Sequence, residues 1–138
     1  MAKLSAISQE RLSTCDERLI NLVTMLNDRF PVRVMCGHRN KADQDAAIKA
    51  KVSKTPWPKS KHNKIPSMAV DLLPEKLVSG KTIDWKNTKA FDEMANIAFE
   101  CADRLGIHIR WGADWKMDGS KTEETFSDKP HIEIMERT

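Results

Sequence analysis

The run Met68-Ala69-Val70-Asp71-Leu72-Leu73 constrains this chain more than any other stretch, because its pattern demands burial while it carries an acid. Six residues of this kind, bounded by Pro66 and Pro74, read as a short buried strand. A carboxylate in the middle of such a strand needs a cation, a metal or dense hydrogen bonding, since an unpaired buried charge is strongly unfavourable. Candidate partners lie on both sides in the sequence. His62 sits in a lysine-rich loop upstream, and Asp128-Lys129-Pro130-His131-Ile132-Glu133-Ile134-Met135 follows far downstream. In that last stretch the isoleucines alternate with polar residues at strand period. Ile132 and Ile134 are expected to pack inward, leaving His131 and Glu133 together on the opposite face. Two histidines and one aspartate make a three-donor set that suits zinc, with a fourth position open to water. Asp128, three residues before His131, is then placed to accept a proton from that water.

The rest of the chain reads as scaffold for those residues. Ser8 is expected to cap a first helix running to about Phe30, with Leu12, Cys15, Leu19, Leu22, Val23 and Leu26 on one face. Pro31 ends it, and Val32 to Cys36 follows with strand-like alternation. Gly37-His38-Arg39 turns the chain into a second helix over about Lys41 to Lys51, whose alanines allow close packing. Arg39 reads either as a surface arginine or as an anion clamp at a strand end, and Gln44 either as a surface residue or as part of that cleft. Val52 to Pro66 is a loop punctuated by three prolines. The clearest periodicity lies in Thr88 to Leu105, an amphipathic helix that Gly106 is placed to end. Ile107 to Trp111 alternates as a strand, with His108 on its outer side as a bystander. The order of elements predicts an α+β fold with a small, largely antiparallel sheet and about three helices.

A chain of 138 residues is the size of one domain, and residues 1–138 are expected to form it without a separate binding module. Charged residues at 31% with 40% hydrophobic residues fit a soluble protein, and no apolar run approaches the roughly 20 residues of a membrane span. The N-terminus lacks the apolar core of a secretory signal, so synthesis and initial residence in the cytoplasm are expected. Cys15, Cys36 and Cys101 fall in no metal-binding spacing and read as free thiols at apolar positions, with a catalytic cysteine as the alternative. Six lysines and one acid lie between Ala46 and Pro74. That excess is either a solvated loop or an attraction to an anionic polymer. A nucleic-acid partner is not expected, since Trp57 is the only aromatic in the cluster and no recognition motif accompanies it. Asp114, Asp118, Glu123 and Glu124 offer oxygen ligands for calcium, without the spacing of an EF-hand.

These residues resemble a zinc peptidase family, the D,D-carboxypeptidase and L-alanyl-D-glutamate endopeptidase group that includes endolysins of tailed phages. The family pattern runs Ser-x-His, Gly-x-Ala-x-Asp, then a carboxylate three residues before a second histidine. Ser60-Lys61-His62, Ser67-Met68-Ala69-Val70-Asp71 and Asp128-Lys129-Pro130-His131 match it in order. Gly37-His38-Arg39 with Gln44 looks like its Gly-x-Arg and following glutamine, and Ile83-Asp84-Trp85 and Arg110 to Trp115 look like the phage branch. Two departures lie in the central stretch: Ser67 replaces the usual glycine, and the interval from His62 to Asp71 is two residues longer than the common pattern.

The resemblance implies one zinc per chain held by His62, Asp71 and His131, with Asp128 as general base. It further implies Arg39 as a clamp for a substrate carboxylate or oxyanion, and Ser60, Gln44 and Glu133 as supporting residues. The implied substrate is the peptide stem of peptidoglycan, cut between L-alanine and D-glutamate by a monomer that is not inserted in a membrane and reaches the wall after holin-type release. The alternatives are a D-alanyl-D-alanine carboxypeptidase or dipeptidase on the same fold, a zinc-stabilised binding module without hydrolysis, and a nucleic-acid-binding protein using the lysine loop.

Overall fold

The computed structural model describes residues 3–50, 55–112 and 128–135, the side chain of Asp128 excepted. Its elements are helices α1 (Ala6–Leu12), α2 (Glu17–Arg29), α3 (Lys41–Lys49) and α4 (Thr88–Leu105), and strands β1 (Val32–Cys36), β2 (Ala69–Pro74), β3 (Val78–Ser79), β4 (Thr82–Ile83), β5 (Ile109–Gly112) and β6 (Asp128–Ile134). Four strands form one antiparallel sheet in the order β1-β2-β6-β5, and β3 and β4 pair as a separate small hairpin. This is the expected α+β architecture. It puts the Asp71 strand in the sheet interior, next to the strand bearing His131.

One helix in the sequence is two in the structure. The chain leaves α1 at Ser13 and runs extended past Ser67, where Ser67 N–H donates to Thr14 O (2.9 Å) and Asp16 N–H donates to Ser67 O (2.8 Å). Asp16 then caps α2 by accepting from Arg18 N–H at 2.9 Å. Leu12, Cys15 and Leu19 fit one continuous helical stripe, so local periodicity hides the break; the distant Ser67 segment imposes it. Ser5, not Ser8, caps α1. The Ser8 hydroxyl is buried and accepts from Val34 N–H at 3.0 Å, which ties α1 to β1.

α4 spans the predicted residues, and Gly106 closes it at φ 70°, a left-handed conformation that glycine adopts without a Cβ penalty. Its stripe of Phe91, Met94, Ala95, Ala98, Cys101 and Ala102 is buried in one cluster with Leu19, Leu22, Val23 and Leu26 of α2. Val32, Val34, Val70, Leu72, Ile109, Trp111, Ile132 and Ile134 supply the sheet side of that cluster. Strand alternation therefore turns Asp71, His131 and Glu133 to the other face of the sheet. Among the described residues no helix is long and apolar enough to cross a membrane.

Candidate functional site

On the face away from the helical core, register aligns Cys36 with Asp71 and Asp71 with His131. Residues directly opposite in an antiparallel sheet share a face, so the three side chains form one rank across β1, β2 and β6. A register irregularity between Val34 and Cys36 sets Cys36 where Met35 would otherwise oppose Asp71. His62 joins the rank from a 3-10 turn over Lys61–Asn63. Ser60 caps that turn, accepting from His62 N–H at 3.3 Å, while Ser60 N–H donates to Asn63 Oδ1 at 3.1 Å. The lengthened interval between His62 and Asp71 is taken up in a loop closed by Met68 N–H to Lys61 O at 3.0 Å.

Both imidazoles converge on one oxygen. Asp71 Oδ1 lies 3.2 Å from His62 Nε2 and 3.3 Å from His131 Nδ1, and the rings meet edge to face at 5.0 Å between centroids. The outward nitrogens are committed elsewhere: His62 Nδ1 lies 2.8 Å from Gly37 O, and His131 Nε2 lies 2.8 Å from Glu133 Oε1. To hold a metal each imidazole would be neutral, with its proton on the nitrogen facing Gly37 O or Glu133 and its lone pair toward Asp71. Metal-binding histidines are oriented in this way.

Electrostatics within the site follow from this convergence. Burial pulls the His62 imidazole down, but the Asp71 carboxylate outweighs it and lifts the group to about 10. Burial likewise opposes Asp71, and the two imidazoles hold its carboxyl well below the usual carboxylate range. His131 is raised: burial lowers it, and hydrogen bonds to Asp71 and Glu133 prevail. Glu133 is held down at about 2, because His131, Lys61 and Arg110 outweigh its burial. Its Oε2 lies 2.9 Å from Arg110 and 3.2 Å from Lys61. Without a metal, protons supply the positive charge that the Asp71 carboxylate requires; a cation held by the same atoms can replace them.

Arg39 stands at the outer oxygen, with Nη2 3.4 Å from Asp71 Oδ2. Gln44 accepts from Arg39 Nη1 at 3.0 Å and from Asn63 Nδ2 at 3.2 Å, and it is completely buried. It is therefore part of the site's framework, not of the surface. Arg39 N–H also donates to His62 O at 2.8 Å, so the arginine and the histidine turn are mutually fixed.

Sequence reasoning read Cys36 as a free thiol at an apolar position, counted Lys61 with the lysine-rich loop and Arg110 with a family segment, and gave Asn63 no role. Cys36 is half-buried, and its sulfur lies with a His62 nitrogen and an Asp71 oxygen in a group of donor atoms within 4.8 Å of one another. Its position in the predicted strand carried a signal, but the bulge that aligns it with Asp71 did not. Arg110 was visible as the residue between Ile109 and Trp111, on the outer face of its strand. The Asp128 backbone pairs with Gly112 in the sheet; its side chain, and the calcium candidates Asp114, Asp118, Glu123 and Glu124, lie outside the described residues.

Comparison with known proteins agrees with this geometry. The chain is 36% identical over 81 residues to the L-alanyl-D-glutamate peptidase of Escherichia phage T5, an alignment covering 56% of this chain and 55% of that relative. The chain thus spans about half the length of the curated relative it matches. Its fold superposes on the crystal structure of the Serratia marcescens L-Ala D-Glu endopeptidase ChiX with a TM-score of 0.74, at 24% identity, covering 97% of this chain and 90% of that one. The family model described as phage L-alanyl-D-glutamate peptidase matches residues 1–135, nearly the whole sequence. The chain belongs to the phage L-alanyl-D-glutamate peptidase family.

Proposed function

We propose that this chain is a zinc peptidase that hydrolyses the L-alanyl-D-glutamate bond in the peptide stem of bacterial peptidoglycan, acting as a phage-type endolysin in host lysis. The observation that carries the reading is the convergence of His62 Nε2 and His131 Nδ1 on Asp71 Oδ1, with both outward ring nitrogens already engaged. Two oriented imidazoles and a carboxylate fit zinc, and three protein donors leave room for water or substrate. When bound, zinc supplies a Lewis acid that acidifies water and polarises the scissile carbonyl.

The chain's own residues divide the remaining work. Asp128, three residues before His131 on β6, is assigned as general base: it takes a proton from the attacking water and delivers it to the departing D-glutamate amine. The water oxygen joins the alanyl carbonyl carbon as the carbon–nitrogen bond breaks. Arg39, braced by Gln44 and Asp71, orients a substrate carboxylate or faces the developing oxyanion with its planar fork of donors. Ser60 sets the His62 turn, and Glu133 sets the His131 ring. Acting on the wall requires passage across the inner membrane, for which holin-type release is the proposed route.

Zinc content and solubilisation of purified peptidoglycan test this together, comparing the parent with Asp128→Ala. Both proteins are expected to hold about one zinc per chain, and only the parent to release fragments with new L-alanine carboxyl and D-glutamate amino termini. Release of D-alanine instead would favour the carboxypeptidase alternative. Zinc without hydrolysis would favour a binding module.

A further inference from the structure

We propose that Cys36 is a fourth donor to the metal, so that the resting site is a Cys36–His62–Asp71–His131 set and not an open three-donor centre. This inference rests on the zinc reading of the other three residues and adds a ligand to it.

β1, β2 and β6 align Cys36, Asp71 and His131 in one rank, so the cysteine occupies the position beside Asp71 that mirrors His131 on the far side. Asp71 is thereby flanked by sulfur on one strand and by nitrogen on the other. The bulge in β1 sets this alignment, since the unbroken register would oppose Met35 to Asp71. The Cys36 sulfur, a His62 nitrogen and an Asp71 oxygen lie within 4.8 Å of one another. His131 is not one of those three and reaches them through Asp71 Oδ1, 3.3 Å from its Nδ1. Zinc bonds of about 2.3 Å to sulfur and about 2.0 Å to nitrogen put tetrahedral donors about 3.5 Å apart, so the donors would draw together on the ion. The sulfur's contact with Gly37 O, at 3.6 Å, is weak enough to give up. Thiolate is also a better zinc donor than water, and its proton passes to solvent on coordination. A fourth protein donor would occupy the position that the three-donor reading leaves to water, so hydrolysis would require the thiolate to leave, regaining a proton from solvent, as water takes its place.

Cobalt(II) titration of the zinc-free full chain tests the proposal, comparing the parent with Cys36→Ser and, as a control, with Cys101→Ser. The expected result is an intense near-ultraviolet sulfur-to-cobalt charge-transfer band in the parent and the control, absent from Cys36→Ser. Zinc affinity in Cys36→Ser is expected to fall by at least the roughly tenfold that loss of an outer hydrogen-bond partner costs. Visible cobalt d–d bands with no charge-transfer band would overturn the Cys36 assignment and leave the three-donor reading standing. No cobalt spectrum of any kind would overturn both. Far-ultraviolet circular dichroism of Cys36→Ser confirms that the comparison is made on folded protein.

Discussion

The two oxygens of Glu133 do different work, one holding His131 Nε2 and the other facing Lys61 and Arg110. Glu133→Gln keeps an acceptor for the imidazole but removes the negative charge that faces Lys61 and Arg110. Zinc affinity should fall by about 10- to 100-fold while the fold persists, as measured by competition with a chelating dye; an unchanged affinity would reduce Glu133 to a packing residue. Cys15 shows a different effect of burial. Its thiol is pushed from 9.0 up to about 12, chiefly by desolvation, so the folded protein keeps a proton that the unfolded chain releases. Stability contributed by the neutral thiol is fully present below pH 9.0 and is lost as pH rises toward about 12, at no more than about 1.4 kcal/mol per pH unit. Urea midpoints taken from about pH 8 to about pH 11 should fall less steeply in Cys15→Ala than in the parent. The demand of a buried acid for partners was legible from sequence, with His62 in the loop before it and His131 in a strand-like stretch far downstream as the candidates. Cys36 was not, because its significance depends on which residue of a neighbouring strand it opposes.

Elements succeed or fail here according to whether their signals are local. α4 was legible to the residue because its stripe and its closing glycine lie within one stretch of chain. The joint between α1 and α2 was not, because the hydrogen bonds that open it come from Ser67. That joint also supports the site. A Cβ on Gly37 would stand 2.4 Å from Arg11 O and 2.4 Å from Thr14 Oγ1, at the end of α1 and the start of the joint. Both neighbours are positioned by the surrounding backbone, so Gly37→Ala must displace the turn after β1. Overpacking of this kind costs about 1–3 kcal/mol. The same turn carries the carbonyl facing His62 Nδ1, so zinc affinity should drop together with the thermal midpoint. A calorimetric scan and a zinc titration on one preparation check both, and loss of stability with unchanged zinc binding would separate the turn from the site.

For the whole molecule, the proposed metal joins strands β2 and β6 to the loop turn that bears His62, three segments from separate parts of the chain. An ion bound by the folded chain and not by the unfolded one stabilises the former by mass action, about 2.7 kcal/mol at a free concentration 100 times its dissociation constant. Removing zinc with a chelator should therefore lower the thermal midpoint by several degrees, and readdition should restore it. A midpoint indifferent to both treatments would refute a native-state metal site. Local pattern was enough for the fold class, for α4, for the buried strand with its acid, and for the inward-facing isoleucines of β6, because helical and strand periodicity record which side of an element is dry. Local pattern could not reveal that His62 and His131 meet on one carboxylate oxygen, that Gln44 is fully buried beneath Arg39, or that a bulge brings Cys36 level with Asp71. Those relations join residues far apart in the chain, and the physical quantity that sets them is the register of strands and the closure of loops, which no single segment contains.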